Sequence, residues 1–480
     1  MSDANKVELT RGVSQGKTTG QLPSNKKSPQ RDPEQNHGRY GAKDYPGCEK
    51  IEIKHSEFQT GSFCPECAAD DTQARLYKTK PGTLICLKGQ PFISGTHYSI
   101  EKWRCAVCHK VYAATVPEAI EQQPKYDAGC TSNLAIARYY LGLPFKRIEL
   151  FQRMEGVPIP DATQWEKVSK LAETVRPVPQ VLEKLAAEGR GIFYDDTPNR
   201  IISCMKQEIS ARKGVTSTAL VSEMGQYCIY LFYTSQRYAA ENIKPLLESR
   251  QSQDPFFTMS DASSNNIPKG LDEELLARWI ISFCLVHGRR KFYEIYDFFD
   301  QECDFVLRTI GRIYENESVC KKQKLTAEER LIYHQTHSAP LMQALHHWLN
   351  NKLLYGEVEL NSGLGESMIY MLKHWETLTR FLHVAGVPID NSICEQAIKV
   401  VLRHRKNSLF YKTLYGAEVG DILMSLIHTA ARHGTNAFLY LNALQYHARE
   451  VALAPEDWLP WTYQATQQKM MAPPLVPKVA

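Results

Sequence analysis

Apolar residues along this chain change their period several times, and each change marks a different kind of element. Residues 1–48 carry almost no periodic apolar positions and are rich in Ser, Gln, Lys, Pro and Gly, which predicts a flexible arm. Over 49–118, short β-type runs appear at Thr83 to Leu87 and Tyr98 to Trp103, without a long amphipathic helix. From Ser132 onward, Leu134, Ile136, Ala137, Tyr140 and Leu141 recur at helical spacing. A second helix begins near Pro144, and Asp161 opens a third that leads into Trp165, Val168 and Leu171.

At Gly191 the period shortens. Ile192, Phe193 and Tyr194 predict a short buried strand ending at Asp195 and Asp196, and Thr218 to Met224 with Tyr227 to Tyr233 predict a hairpin joined at Gly225. A helix over Ala239 to Leu247 precedes a fourth strand, Pro255 to Met259, with Asp261 just past its end. Residues 272–384 read as helices with polar loops near Asn316 and Asn361. Asp390 or Asn391 caps a helix through Glu395 toward Arg405, and another spans Val419 to Arg432. The last twenty residues, with Pro473, Pro474 and Pro477, predict a loose tail.

Composition bounds what this pattern can do. A chain of 480 residues, 43% hydrophobic and 23% charged, has room for several domains. Lys and Arg number 57 against 53 Asp and Glu, a formal charge of +4, so a nucleic-acid surface has to be a local concentration. The arm is mildly basic, with eight Lys/Arg against five Asp/Glu. The longest apolar runs, Cys228 to Tyr233 and Ile280 to Val286, fall far short of the roughly 20 residues that cross a bilayer. With no signal-peptide core near the start, the expectation is a cytoplasmic chain without a membrane partner. Thirteen cysteines, mostly scattered singly, fit reduced thiols rather than a disulfide framework.

Two cysteine pairs, Cys64-Pro-Glu-Cys67 and Cys105-Ala-Val-Cys108, have the knuckle spacing that lets four thiolates converge on one structural Zn²⁺. His109 is an alternative ligand. Three carboxylates then follow in a defined order: Asp195 ending the first strand, Asp261 after the fourth, and Glu395 on a late helix. That order matches an RNase H-like core, where such acids hold two Mg²⁺ (or Mn²⁺) ions about 4 Å apart for in-line phosphoryl transfer. On the Glu395 helix, Lys399, Arg403 and Lys406 lie along the same side as the glutamate, and Arg405 adds to the cluster. Gln396 to Ala417 holds five Lys/Arg and no acid, interleaved with Phe410, Tyr411 and Tyr415, a pattern suited to a phosphate backbone. In Cys284-Leu-Val-His287-Gly-Arg289-Arg290-Lys291-Phe292, three consecutive cations follow a Cys-x-x-His unit, read either as packing residues or as a second metal pair.

These blocks, in this order, resemble the transposases of the IS66 insertion-sequence family over nearly the whole chain. The resemblance rests on His37 to Pro46, the two CxxC pairs, and Leu143 to Ile148 through Trp165. It continues through Asp195-Asp-Thr-Pro198, Cys284 to Phe292, Ile389 to Glu395, Arg405 to Phe410 and Leu459-Pro-Trp461. The Asp-Glu-Thr-Pro block of the family places the first catalytic aspartate at Asp195 rather than Asp196. Asp196 stands where the family has Glu, Gln396 where it has Arg, and Leu285-Val286 where it has Trp-Ala. None of these departures removes an expected metal ligand, whereas Gln396 weakens an expected DNA contact.

The resemblance implies a DDE transposase with catalytic Asp195, Asp261 and Glu395 and a helical insertion before the glutamate. It also implies a homodimer or higher multimer acting on double-stranded DNA at terminal inverted repeats and target, with small accessory proteins from the same element. The expected fold is multidomain α/β. It comprises a basic arm (1–48), a zinc module (49–118), a helical DNA-binding or linker block (119–190), an RNase H-like core in two parts (191–290 and 386–450), a helical insertion (291–385) and a tail (451–480). Two other functions fit the same residues: a non-catalytic DNA-binding protein derived from a transposase, and a structure-selective RNase H-like nuclease.

Overall fold

The structure is a computed structural model that describes residues 59–63, 75–77, 91–104, 106, 108–205 and 214–471. The arm at 1–48, the strand expected at Thr83 to Leu87, and Cys64, Cys67 and Cys105 lie outside the described residues. The chain divides into two compact units, Met1–Gln90 and Pro91–Ala480. In the first, Phe63 and Arg75 form an antiparallel bridge, with the Arg75 guanidinium 4.6 Å from the Phe63 ring centre.

The second unit begins with a small exposed hairpin, β1 (Lys102–Arg104) and β2 (Val111–Ala113). Four helices follow: α1 (Ala128–Tyr139), α2 (Phe145–Met154), α3 (Asp161–Val175) and α4 (Pro177–Ala187). Asp127 starts α1 by accepting the Cys130 N–H at 2.6 Å, which satisfies one of the orphan donors of the first turn. This block is not a free-standing module. Leu134, Val168, Leu171, Val178 and Leu182 sit in one continuous core with the sheet residues Ile192, Leu220 and Ile229.

The sheet contains β3 (Gly191–Asn199), β4 (Val215–Met224), β5 (Tyr227–Ser235), β6 (Phe256–Ser260) and β7 (Trp279–Phe283), in the order β5-β4-β3-β6-β7. The first three strands run antiparallel and the last two are parallel to β3. Gly225, at φ +58°, supplies the left-handed residue of the two-residue β4–β5 turn. Helix α5 (Ala239–Glu248) connects β5 to β6.

Strand β7 overturns the expectation of unbroken helix from 272. A parallel strand buried on both faces reads as a continuous apolar run, which periodicity cannot separate from a buried helix. Here the five residues Trp279 to Phe283 lie between two helices, which hides them further.

Helices α6 (Leu285–Glu294), α7 (Asp300–Lys322), α8 (Ala327–His337), α9 (Ala339–Leu354) and α10 (Gly363–Lys373) form the segment before Glu395. They enclose a second core of Leu285, Phe292, Val306, Ile310, Met342, Leu345 and Met368. Asn316, expected in a loop, lies inside α7 and donates to the Ser338 hydroxyl at 3.0 Å, so a buried partner accounts for a polar residue mid-helix. Gly288 lets α6 approach α10, since a Cβ there would stand 2.5 Å from the Met371 sulfur.

The chain then returns to the sheet through α11 (Ser392–Ser408), α12 (Leu414–Arg432) and α13 (Ala437–Tyr446). Helix α12 covers the edge strand β5 with an unusual polar ladder. The N–H groups of Thr234, Phe232, Tyr230 and Cys228 donate to Asp421 at 2.6 Å, Ser425 at 3.1 Å, Thr429 at 3.0 Å and His433 at 3.2 Å. Four residues of helix advance about 6 Å and two of strand about 6.7 Å, so a side chain every turn meets every outward N–H. An edge that would otherwise offer unpaired donors is thereby closed. Part of the expected tail is also packed: Trp458, Leu459 and Tyr463 are buried in the sheet core, because their aromatic and apolar area outweighs the neighbouring prolines.

Candidate active site

The sheet brings the first two predicted acids together. β3 and β6 pair in parallel with Phe193 opposite Met259, and continuing that register by two residues sets Asp195 beside Asp261. Asp195 lies within β3 rather than at its end, which is longer than the expected strand. Successive side chains of a strand face opposite ways, so Asp195 and Asp196 diverge. Asp196 is anchored, accepting the Thr218 hydroxyl at 2.5 Å and the Ala239 N–H at 2.6 Å, where α5 begins.

Helix α11 adds the third acid by a chain of contacts. Asp195 pairs with Ala219 across β3 and β4, and the Cys394 thiol donates to the Ala219 carbonyl at 3.3 Å. Glu395 is the next residue. Asn391 pins the start of the helix: its side-chain amide donates to the Tyr194 carbonyl at 3.0 Å and its N–H to the Cys284 sulfur at 3.3 Å. Asn391 therefore occupies the expected cap position while its side chain reaches the sheet, and the Ser392 N–H goes to Asp390 at 3.0 Å. The cap reading of the sequence located Asn391; nothing in the pattern revealed its tie to Tyr194.

The electrostatics match this convergence. Burial raises the Asp195 carboxyl, the Asp196 N–H lowers it, and the charges of Asp261, Asp196 and Glu395 raise it, to about 7. Burial likewise raises Asp196, against the Thr218 and Ala239 hydrogen bonds, to about 6. Asp261 accepts from the Ser263 N–H at 3.1 Å and from the Asn266 amide, which hold the carboxylate at the strand end. Glu395 Oε1 is buried without a hydrogen-bond partner, a costly arrangement that a cation would offset. Three hard oxygen donors with surplus negative charge suit Mg²⁺ or Mn²⁺. Among the described residues, however, the three acids do not form a group whose ligand atoms all lie within 4.8 Å of one another; Glu395 groups in that way with Cys284 and His287.

Asp261 alone of the three acids borders a cavity of about 300 Å³, lined also by His287, Arg290, Lys291, Glu294 and Tyr370, among others. Arg290 and Lys291 are exposed and Arg289 is half-buried, with the Lys291 ammonium 4.6 Å from the Tyr370 ring centre. Tyr370, carried on α10, had no signal in the sequence because its neighbours become visible only on folding. Lys399, Arg403 and Lys406 are exposed along α11, as their spacing predicts. Arg405 behaves differently: its guanidinium donates to the Thr197 hydroxyl at 3.1 Å and to the Pro198 carbonyl, tying α11 to β3. Cys108 is an exposed free thiol, and His109 adopts a positive φ of 59°.

Cys284 is fully buried, its sulfur accepts the Asn391 N–H at 3.3 Å, and burial pushes its thiol up to about 12. His287 is pushed down from the ordinary imidazole value by burial, with Asp261 raising it, Arg290 lowering it and Glu395 raising it.

A mixed sheet packed among helices defines an α/β protein. The sequence profile of the Transposase IS66 family matches residues 125–419, and the chain belongs to that family. It is similar to three proteins of Sinorhizobium fredii. With uncharacterized protein y4jD it is 30% identical over 191 residues, 39% of this chain and 37% of that protein. With uncharacterized protein y4hP it is 21% identical over 384 residues, 76% of this chain and 67% of the relative. With uncharacterized protein y4qI the figures are 22% over 354 residues, 69% and 61%. No helix among the described residues is long and apolar enough to cross a membrane.

Proposed function

We propose that this chain is a DNA transposase of the DDE type, which cuts the ends of its element and joins the freed 3′-hydroxyl to target DNA. What supports this reading is that Asp195 on β3 is raised by burial and by the charges of Asp261, past the end of β6, and Glu395, on α11. The strand order, three antiparallel strands followed by two parallel ones, supports an RNase H-like core with the helices of 291–385 as its insertion. Divalent ions at these acids would supply charge neutralisation and a nucleophilic water or hydroxyl at neutral pH.

The chain itself does the positioning. Asp195 and Asp261 present adjacent carboxylates from a rigid sheet, and Asn391 sets the distance of the glutamate by fastening α11 to Tyr194. Arg290, Lys291, Lys399, Arg403 and Lys406 offer exposed cations to the DNA backbone on either side of the acids. Arg405 contributes by holding α11 in place. From cysteine spacing alone, we extend the reading to one structural zinc at Cys64, Cys67, Cys105 and Cys108, which metal analysis of the purified chain tests. Recognition of inverted repeats by the arm and the helices of 119–190, multimer formation and help from accessory proteins belong to the same reading.

The test is strand joining on labelled element-end DNA with Mg²⁺, comparing wild type with Asp195→Asn, Asp261→Asn and Glu395→Gln. Loss of joined product in all three, with end binding kept, is the expected result. Tight binding by the wild type without nicking or joining makes it a DNA-binding protein; cleavage without end specificity or joining makes it a nuclease.

A further inference from the structure

The Cys284-x-x-His287 unit opens α6 between two of the acids. Cys284 is locked, its N–H donating to Ser260 at 2.9 Å and its sulfur accepting the Asn391 N–H at 3.3 Å. That places His287 one helical turn onward, against Glu395: ligand atoms of Cys284, His287 and Glu395 all lie within 4.8 Å of one another. His287 also lines the cavity that Asp261 borders, and the charges of both Asp261 and Glu395 act on its ring. Two polar atoms here are buried and make no hydrogen bond, His287 Nδ1 and Glu395 Oε1. Buried polar atoms are nearly always paired, and two unpaired ones facing the same small space call for a shared partner. Donors bound to one divalent ion at about 2.0–2.2 Å stand roughly 3 to 4.4 Å apart, which this spacing accommodates.

We propose that His287 is a nitrogen ligand of the divalent ion held by Glu395, so that the site is three carboxylates and one imidazole rather than carboxylates alone. The proposal rests on the metal-dependent reading above. An imidazole favours later first-row ions over Mg²⁺, so the site should prefer Mn²⁺ more strongly than an all-oxygen site does. Cys284 positions the ring and gives no ligand, since its sulfur is engaged with the Asn391 N–H.

Pulsed electron paramagnetic resonance of Mn²⁺ bound to the full-length chain reads this directly, because a coordinated imidazole modulates the echo through its ¹⁴N nucleus. Wild type is expected to show ¹⁴N coupling. His287→Gln and His287→Asn are expected to lose it while still binding Mn²⁺ about tenfold more weakly, with a smaller preference for Mn²⁺ over Mg²⁺. Mn²⁺ bound by the wild type without ¹⁴N coupling overturns the proposal whether or not the variants fold, and so does coupling that survives in either variant. Those outcomes leave the carboxylate site standing if Asp195→Asn weakens Mn²⁺ binding. Absence of Mn²⁺ binding in wild type overturns both the proposal and the metal-dependent reading.

Discussion

Two clusters in this molecule bring a glutamate, a cysteine and a histidine within 4.8 Å of one another, Glu395 with Cys284 and His287, and Glu317 with Cys320 and His334. Geometry alone treats them as equals, but their charges separate them. At Glu317, burial pushes the carboxyl up, yet the His334 hydrogen bond, Arg330 and Lys321 outweigh it and bring the group to about 2. Arg330 donates to Glu317 at 2.7 Å and His334 Nε2 lies 3.0 Å from the same oxygen. Around Glu395, Asp195 is instead raised to about 7, and Glu395 Oε1 has no donor. A carboxylate already paired inside the protein is a structural strut. One whose buried neighbours are also acids is, in the proposed reading, offset by a cation from outside.

The sharpest way to break this comparison is to neutralise Asp195, whose carboxyl feels the charge of Glu395, and Glu317 in the second cluster. Asp195→Asn should lower strand joining by on the order of 10³-fold or more while the chain stays folded, measured by product yield beside a thermal melt. Glu317→Gln should do the reverse, costing about 2 kcal/mol of stability by taking the charge from the buried partner of half-buried Arg330, with joining by the folded fraction kept within severalfold. Denaturant titration and a joining assay on the same samples decide it; a Glu317 variant that folds normally and cannot join DNA would move that cluster into the active site.

A smaller effect follows from pH. The Asp195 carboxyl is raised in the folded chain from its ordinary value of 3.8 to about 7, so its ionised form is disfavoured by folding. Its contribution is neutral below about pH 4 and becomes a penalty as pH rises through 7. Ion-free protein should therefore lose about 2 kcal/mol across that window, less in Asp195→Asn, and Mg²⁺ should restore more stability at pH 8 than at pH 5. Glu317 has the opposite sign: lowered to about 2, it stabilises above the usual glutamate range, and that stability is lost only as pH falls toward 2. Melting curves at a series of pH values with and without Mg²⁺ test both, and an Mg²⁺ effect independent of pH removes the Asp195 half.

How far these differences were legible before folding depends on range. Asp195, Asp261 and Glu395 were singled out by local pattern, an apolar run leading into acids, a residue just past a strand and a capped helix, in one order; the fold sets Asp195 inside β3, Asp261 just past β6 and Glu395 in the first turn of α11. The exposed stripe of Lys399, Arg403 and Lys406 was readable for the same reason, since helical spacing is local. Arg405 looked like a member of that stripe, and only the fold shows its guanidinium spent on β3. Glu317 and Arg330 are thirteen residues apart on different helices, and nothing in their own segments distinguishes a buried pair from two solvated faces. Strand β7 was lost because five residues between helices, four of them apolar, are too few to carry a period of their own.

Asp421 supplies the subtlest test, because it combines features of both clusters. It is fully buried like a strut and hydrogen-bonded to the Thr234 N–H at 2.6 Å and hydroxyl at 2.9 Å, yet it is raised to about 7, chiefly by burial, with no cation to offset it. If burial without a counter-charge is what raises these groups, the ladder needs only the acceptor oxygens of Asp421 and not its charge. Asp421→Asn keeps an oxygen for the Thr234 N–H and should cost about 1 kcal/mol or less at neutral pH. It should also remove a stability loss that the wild type suffers as pH rises from about 4 to 7. Asp421→Ala deletes the acceptor for a buried N–H of the edge strand and should cost about 2 kcal/mol at low pH and less at pH 8, where the wild type bears the penalty of the ionised carboxyl. Urea titrations of both variants at pH 5 and pH 8 measure the two quantities separately. An Asn variant as damaged as the Ala variant would mean that the charge itself is required, and that burial among neutral donors does not make a carboxylate behave like Asp195.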